Sequence, residues 1–182
     1  MATELCLVRH GHTRTNQPFL MAGRLDNSLD TTGIAEAQSC RTRIRQRAFD
    51  AIYCSPAQRT IQTARIIIPD RTFEIIYDER LLERAYGHYE GKWNPLAMLR
   101  LWNYEKSYTK SRRGEETILG LELRVHDFLD KIRTKHPEQR VLVVTHSGVI
   151  TAVDAILNDR PRTGHFFRHF HVENGKTADF YL

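Results

Sequence analysis

Two histidines in this chain each follow a short apolar run and precede a turn that contains glycine. His10 follows the run 5–8 and Arg9, and His146 follows the run 141–144 and Thr145. Continuous apolar runs of this length are typical of parallel strands buried on both faces. Ligands of open α/β sheets bind in the crevice beyond the carboxyl ends of such strands. We therefore expect both imidazoles at the same rim of one sheet, placed for catalysis.

Arg9 and His10 are suited to the handling of a phosphoryl group. Arginine presents a planar fork of N–H donors that matches phosphoryl oxygens. His10 can attack phosphorus only while one ring nitrogen is unprotonated and an acceptor holds the other N–H. Gly11 allows the backbone to turn sharply and to approach a ligand closely. An isolated histidine is more often bonded to core backbone, but the second histidine and the adjacent arginine favour a catalytic role here.

Five separated segments of the chain carry further motifs in a fixed order. They are Arg9–Thr13 with Asn16 and Gly23, Ser55–Ala64, Leu82–Gly91, Gly114-Glu115 with Arg124, and Thr145-His146. Together they resemble the histidine phosphatase superfamily, the phosphoglycerate mutase-like group named for its Arg-His-Gly motif. A bare Arg-His-Gly is a weak signal, whereas this ordered set covers nearly the whole chain and is very specific.

The resemblance implies roles for five residues that suit their chemistry. His10 would be the nucleophile and form a transient phosphohistidine. Arg9, Arg59 and His146 would bind the phosphoryl oxygens, where each donor is worth about 3–4 kcal/mol in comparable sites. Glu83 would protonate the leaving oxygen and later take a proton from water. Each role competes with an ordinary one, such as a surface ion pair for Arg59.

Glu90 is the rival of Glu83 for the role of general acid. Glu83 occupies the position of the acid in the family, and Glu90 lies in the turn that follows. A surface carboxylate is the default interpretation for any glutamate, so the preference for Glu83 depends on the resemblance.

A second group of residues is predicted to contact the substrate. Asn16 and Thr13 would make hydrogen bonds around the phosphate, and Gly23 would allow close approach of the backbone. The candidates for the rest of the substrate are Arg24, Arg84, Tyr86, Arg112, Arg113 and Ser147. For the four arginines and Tyr86, a solvated surface position is at least as common.

Three positions depart from the pattern of the family. His12 stands where the mutases have glutamate, and Ser147 replaces the glycine or asparagine that often follows the second histidine. Glu116 stands where many members have serine. None of the three belongs to the catalytic set, so they bear on the identity of the substrate.

Composition limits the class of protein. The 182 residues, 41% of them hydrophobic, fit a single domain over 1–182, and the net charge of +5 suits anionic ligands. The basic cluster at 106–113 lacks a nucleic-acid motif, so we expect no nucleic-acid partner.

No apolar stretch is long enough for a membrane span, and the start of the chain does not resemble a signal peptide. The three cysteines, Cys6, Cys40 and Cys54, fit buried thiols in the cytoplasm. Nothing indicates the oligomeric state.

Strands alternate with helices along the chain, which predicts an α/β fold. This fold is a three-layer α/β/α sandwich with a mostly parallel central sheet, as the resemblance also implies. Strands are predicted at 4–8, 51–54, 73–77, 140–145, 167–172 and 177–182. Helices are predicted at 33–47, from Ser55 as cap to 68, and at 95–106, 116–135 and 149–157.

His165, His169 and His171 form a late histidine cluster. If 167–172 is a strand, His169 and His171 share one face. No carboxylate or cysteine stands at ligand spacing beside them, so we interpret them as half-exposed strand residues and expect no metal or other cofactor.

The leading function is a metal-independent phosphatase that works through phosphohistidine. Its substrate would be a small phosphorylated metabolite, with a phosphoprotein as the other option. The runner-up is a cofactor-dependent phosphoglycerate mutase, which is typically longer, and the stretch Tyr86–Lys92 resembles the phosphatase branch more closely. A non-catalytic module that binds phosphorylated ligands is the third reading, against which His10, Glu83 and His146 all argue.

Overall fold

The computed structural model describes residues 2–69 and 74–182, which build a five-stranded sheet between two layers of helices. The strands are β1 (Glu4–Arg9), β2 (Ala51–Cys54), β3 (Ile75–Tyr77), β4 (Arg140–Thr145) and β5 (Thr177–Tyr181). The helices are α1 (Thr31–Ile44), α2 (Gln58–Ile67), α3 (Pro95–Leu101), α4 (Tyr104–Ser107), α5 (Ile118–Lys135) and α6 (Ser147–Leu157). Short 3₁₀ turns occupy Glu79–Leu81 and Gly87–Tyr89.

The strand order is β3-β2-β4-β1-β5, with β5 antiparallel to β1 and the other pairs parallel. Arg9 and Thr145 are partners in the register of β1 with β4. The residues that follow them, His10 and His146, therefore leave the sheet side by side. Ser55 follows β2 at the same edge and donates its backbone N–H to Val144 at 3.0 Å. The register thus brings three distant segments together at the carboxyl ends of the strands.

Side chains alternate between the two faces of the sheet and build a separate core on each. On one face, Leu7 and Val143 pack with the apolar stripes of α5 and α6. On the other, Cys6 and Val144 pack with α1 and α2. All three cysteines are buried and free. The predicted three-layer α/β/α sandwich with a mostly parallel sheet is confirmed.

Several predicted element boundaries were wrong. The helix predicted over 95–106 is two helices, because Trp102 ends α3 and the side chain of Asn103 caps α4. The helix α1 begins at Thr31 rather than at residue 33, since Asp30 accepts a hydrogen bond from the backbone of Gly33 and caps it. Ser55 does not cap α2, whose N-cap is Ala57. Of the strand predicted at 73–77, residues 75–77 form β3 and Phe73 lies outside the described residues.

Residues 167–172 do not form the predicted strand. Their backbone belongs to no ladder within the described part of the chain. The alternation of the sequence arises because buried Phe166 and Val172, and Phe170 against Phe180, pack on the core from a loop. The prediction of strand at the end of the chain holds for Thr177–Tyr181 alone. Over residues 2–69 and 74–182, no helix combines the length and the apolar character of a membrane span.

Candidate active site

The carboxyl edge of the sheet opens onto a cavity of about 240 Å³. Most of the predicted site residues line this cavity, and the exceptions are His146, Arg24, Arg84, Arg112 and Arg113. They come from β1 and the loop after it, from α2, from the segment around residue 83, and from the start of α6. The topology therefore assembles most of the predicted site at one place.

The ring of His10 is held with one nitrogen free. Its Nδ1 lies 2.8 Å from the carbonyl oxygen of Gly11, and since a carbonyl can only accept, Nδ1 carries the hydrogen. In the neutral ring this leaves Nε2 unprotonated. Burial lowers the pKa of His10 well below 6.5, and the positive charges of Arg59 and Arg9 lower it further. The imidazole is therefore in the neutral, nucleophilic form at neutral pH.

His146 lies directly behind His10. The two rings meet edge to face with centroids 5.2 Å apart, and His146 is fully buried. Its Nε2 is 2.9 Å from Oγ of Ser55, while its Nδ1 has no hydrogen-bond partner among the described residues. Burial, the charge of Arg59 and the neighbouring His10 hold its pKa well below 6.5. Nδ1 of His146 is therefore a buried polar atom whose partner is not among the described residues.

Arg59 is buried and Arg9 is half-buried, and loop carbonyls hold both guanidinium groups in the cavity wall. Arg59 donates to the carbonyls of Leu25 and Gly23, both at 2.7 Å, and Arg9 donates to that of Val172 at 2.7 Å. The Nε of each arginine has no partner among the residues described. Burial lowers the pKa of both guanidinium groups. Two positive charges in the cavity wall, each with an unused donor, favour an anionic ligand.

Glu83 is the carboxylate of the cavity wall, and backbone N–H groups hold it in place. Its Oε1 accepts from the N–H of Arg84 at 2.8 Å, and its Oε2 accepts from the N–H of Gly148 at 3.2 Å. Gly148 is the second residue of α6. The carboxylate is thus fixed on the same wall as His10, by an element that begins directly after His146.

Glu90 has a different place. Its Oε1 accepts from the backbone N–H of Arg24 at 3.1 Å and from that of Tyr86 at 2.9 Å. The carboxylate of Glu90 therefore joins two loops, and it does not line the cavity. The geometry favours Glu83 over Glu90 as the acid.

Asn16, Thr13 and Gly23 also line the cavity. Oδ1 of Asn16 accepts from the backbone N–H and from the hydroxyl of Thr13, both at 2.9 Å. Gly23 has a φ of +52°, and a Cβ there would lie 2.5 Å from Oε1 of Glu90. Its carbonyl is the one that receives Arg59. Gly23 therefore helps to fix the position of Arg59.

Comparison with known proteins agrees with this geometry. A family model of the histidine phosphatase superfamily (branch 1) matches residues 5–179. The chain belongs to this superfamily. A phosphoserine phosphatase from Hydrogenobacter thermophilus is 30% identical over 150 residues, which are 79% of this chain and 71% of that protein. An adenosylcobalamin/alpha-ribazole phosphatase from Escherichia coli is 28% identical over 94% of this chain and 86% of its own length.

A solved structure shows the same fold in this superfamily. The protein YhfR from Bacillus stearothermophilus superimposes with a TM-score of 0.88 at 28% identity, covering 98% of this chain and 90% of that chain. With these relatives, the chain is identified as a phosphoric monoester hydrolase of the histidine phosphatase superfamily. The predicted family and enzyme class are confirmed.

Several arginines predicted as substrate contacts lie elsewhere in this histidine phosphatase. Arg84 is buried, and it donates to the carbonyls of Glu116 at 2.7 Å and Leu101 at 2.5 Å. Arg24 donates to the carbonyl of Glu83 at 3.2 Å. Neither lines the cavity, nor do Arg112 and Arg113. Arg84 and Arg24 instead fix the segment that carries Glu83.

The departures from the superfamily pattern also have structural explanations. Nδ1 of His12 pairs with Asp30 at 2.7 Å, next to the cap of α1 and away from the cavity. Glu116 pairs with Arg124 at 2.7 Å. Ser147 alone of the three lines the cavity.

Residues 165–171 contribute part of the site that sequence reasoning missed. His165, Phe167 and His171 line the cavity beside Tyr86 and Trp102. Nε1 of Trp102 donates to the hydroxyl of Tyr86 at 3.1 Å, and burial raises the pKa of that hydroxyl to about 12. The aromatic composition of the segment was the available signal. Within residues 2–69 and 74–182, no three or more His, Cys, Asp or Glu side chains form a group that could hold a metal ion.

Substitution of Gly148 by alanine tests the placement of Glu83. A Cβ on Gly148 would overlap Oε1 of Glu83, so the carboxylate must move away from α6. We expect kcat on an alkyl phosphate to fall roughly 10- to 100-fold, up to the lower end of general acid–base effects, because the carboxyl group is displaced and not removed. Thermal unfolding should change little, because alanine favours a helix by about 1 kcal/mol over glycine.

Gly120→Ala in α5 is the matched control for that substitution. It makes the same helical exchange, and its Cβ would have only side-chain atoms of Thr117 and Glu116 within 4 Å, at 3.1 and 3.6 Å, so it does not touch Glu83. Wild-type kcat in Gly148→Ala, with the protein folded, would show that the position of Glu83 does not matter.

Proposed function

We propose that this protein is a metal-independent phosphatase that hydrolyses phosphomonoesters through a phosphohistidine on Nε2 of His10. The observation that carries the proposal is the bond from Nδ1 of His10 to the carbonyl of Gly11, which fixes the tautomer. It leaves an unprotonated Nε2 in a cavity whose wall also contains Arg9 and Arg59, each with an unused N–H donor. A nucleophile and a binding site for its electrophile therefore occur together.

The first step transfers the phosphoryl group to the enzyme. Nε2 of His10 forms a bond to phosphorus as the bond from phosphorus to the ester oxygen breaks. Protonated Glu83 gives its proton to that oxygen, and the alcohol leaves. Arg9 and Arg59 stabilise the charge on the phosphoryl oxygens with their N–H donors. His146 supports the ring of His10 through their edge-to-face contact.

The second step returns the enzyme to its starting state. Water attacks phosphorus, and the carboxylate of Glu83 takes a proton from that water. The phosphorus–nitrogen bond breaks, inorganic phosphate leaves, and Glu83 is again protonated. The same carboxyl group thus acts as acid in one step and as base in the next. Its two backbone bonds hold it at one place for both.

The substrate that fits this cavity is a small phosphorylated metabolite. The cavity volume of about 240 Å³ is near the lower end for small-molecule sites. The wall beyond the histidines is largely apolar, with Leu20, Met21, Trp102 and Phe167. The relatives named above act on phosphoserine or on alpha-ribazole phosphate by their names. We propose that apolar surface on the alcohol improves binding.

Trapping of the intermediate tests the proposal. The protein is mixed with a phosphomonoester that carries a radiolabelled phosphoryl group and is quenched in alkali. We expect label on the protein that is stable in alkali, lost in acid, and located by mass spectrometry at His10. Phosphate release should continue in the presence of a chelator. Turnover without labelled protein, or isomer exchange of a phosphoglycerate primed with bisphosphoglycerate and without phosphate release, would overturn the proposal.

A further inference from the structure

His171 connects Arg9 to Ser147 at the rim of the cavity. Nε2 of His171 lies 3.3 Å from Nη1 of Arg9, and its Nδ1 lies 3.2 Å from Oγ of Ser147. All three side chains line the cavity that contains His10. They come from β1, from the start of α6 and from the loop after residue 165, so only the folded chain brings them together.

The chemistry of the partners fixes the direction of these hydrogen bonds. A guanidinium group can only donate, so Nε2 of His171 must accept from Arg9 and carries no hydrogen. In the neutral ring the hydrogen is then on Nδ1, which donates to Oγ of Ser147. Ser147 thereby accepts with one of its two lone pairs, and its own hydroxyl hydrogen is left to donate elsewhere.

No acceptor for that hydrogen occurs within the described residues. Oγ of Ser147 has His171 as its one hydrogen-bond partner in this part of the chain. Because Ser147 lines the cavity, an acceptor bound in the cavity is the natural partner for its hydroxyl. The unused Nε donors of Arg9 and Arg59 indicate that this acceptor is an anion.

We propose that Ser147 donates a hydrogen bond to the phosphoryl group of the substrate and that His171 is the positioning residue that directs it. The inference rests on the proposed function, because it adds a donor to the same phosphoryl site. Serine at this position is one of the departures of this chain from the superfamily pattern. The pair of Ser147 with His171 would therefore set phosphate affinity in this protein specifically.

Binding of inorganic phosphate, measured as competitive inhibition, is the first test. Removal of the hydroxyl in Ser147→Ala should raise the inhibition constant of phosphate and the KM about tenfold, as expected for one hydrogen bond to a charged group. His171→Phe keeps a ring against Phe167, whose centroid is 5.8 Å away, but has no hydrogen-bonding atoms. It should weaken phosphate binding at least as much as Ser147→Ala.

Three further variants separate positioning from a general effect of mutation. The double variant Ser147→Ala/His171→Phe should bind phosphate no more weakly than His171→Phe alone, because the two residues act through one bond. His171→Gln keeps an acceptor and a donor and should stay within about threefold of wild type. His169→Gln, in the same loop and outside the cavity wall, should equal wild type.

The pH dependence of phosphate binding gives a second readout. Protonation of His171 would place an N–H on Nε2, facing the donor of Arg9. Burial and Arg9 lower the pKa of His171, and Glu173 raises it. As pH falls through that pKa, His171 keeps its Nδ1–H donor to Ser147 and gains a positive charge in the cavity wall, so wild type should gain affinity for phosphate relative to His171→Gln, which has no such proton to gain. The ratio of the two inhibition constants cancels the titration of phosphate and of His10, since these are common to both proteins.

Two results would overturn this inference while leaving the proposed function intact. One is unchanged phosphate inhibition in Ser147→Ala, and the other is purely additive losses in the double variant. Failure of the proposed function is recognised separately, because wild type would then turn over without label on His10. Thermal unfolding of each variant shows that a weakened inhibition is not a consequence of misfolding.

Discussion

Replacement of His10 by alanine is expected to abolish phosphate release. No other side chain of the cavity wall is a neutral imidazole with its second nitrogen tied to a backbone carbonyl. The expected loss in kcat is on the order of 10⁴- to 10⁶-fold, as for the removal of other covalent nucleophiles. The measurement is phosphate release from an aryl phosphate under saturating substrate, together with the absence of alkali-stable label.

Two further variants make the His10 result interpretable. His10→Gln keeps most of the side-chain volume at this buried position, so a folded and inactive protein is expected even if alanine leaves a destabilising cavity. His12→Gln is the matched control, because His12 lies two residues away and bonds to Asp30 instead of facing the cavity. It should retain nearly full turnover. Turnover above about one per cent of wild type in folded His10→Gln would show that His10 is not the nucleophile.

The position of the two histidines could be predicted because it depends on strand register. Apolar runs predicted β1 and β4 within one residue of their observed bounds. Parallel pairing then places Arg9 beside Thr145, and the next residues follow the same edge. The position of both histidines at this edge of the sheet could therefore be predicted from the local sequence pattern and the general topology of parallel sheets.

Ser55 shows where local pattern gives the wrong answer. Ser-Pro is a common helix start, and so the sequence predicted a cap for α2. In the structure the hydroxyl of Ser55 lies 2.9 Å from Nε2 of His146, and α2 begins three residues after it. A partner 91 residues away competes with the local hydrogen bond, and nothing near Ser55 in the sequence reveals it.

Arg59 and Arg84 show the same limit for buried charges. Both are buried arginines in motifs of the superfamily, and both donate to backbone carbonyls. Only Arg59 lines the cavity. The carbonyls that each guanidinium group can reach depend on how loops from distant parts of the chain meet. The residue type alone therefore does not distinguish an arginine that lines the cavity from one that supports a loop. His171 was missed for the same reason, since its loop resembles a strand in pattern only.

Substitution of Glu83 by glutamine is expected to separate proton transfer from phosphate binding. On an alkyl phosphate, whose alcohol must be protonated as it leaves, kcat should fall by about 10²- to 10⁴-fold. On an aryl phosphate with a good leaving group, transfer to His10 should stay fast. Water attack still lacks its base, so the phenol should appear in a burst while phosphohistidine accumulates. Inhibition by inorganic phosphate should stay within about threefold of wild type, because Arg9 and Arg59 are unchanged.

Glu90→Gln is the matched control for this prediction, and the structure explains why. Both backbone bonds of Glu90 reach the same oxygen, Oε1, so a glutamine with its oxygen there keeps both. The bonds of Glu83 use one oxygen each, so glutamine at position 83 loses one of them as well as its proton. Glu90→Gln should therefore turn over both substrates at the wild-type rate.

If Glu83→Gln slowed both substrates equally and showed no burst, its effect would be on positioning rather than on proton transfer. If Glu90→Gln instead showed the burst, Glu90 would be the acid.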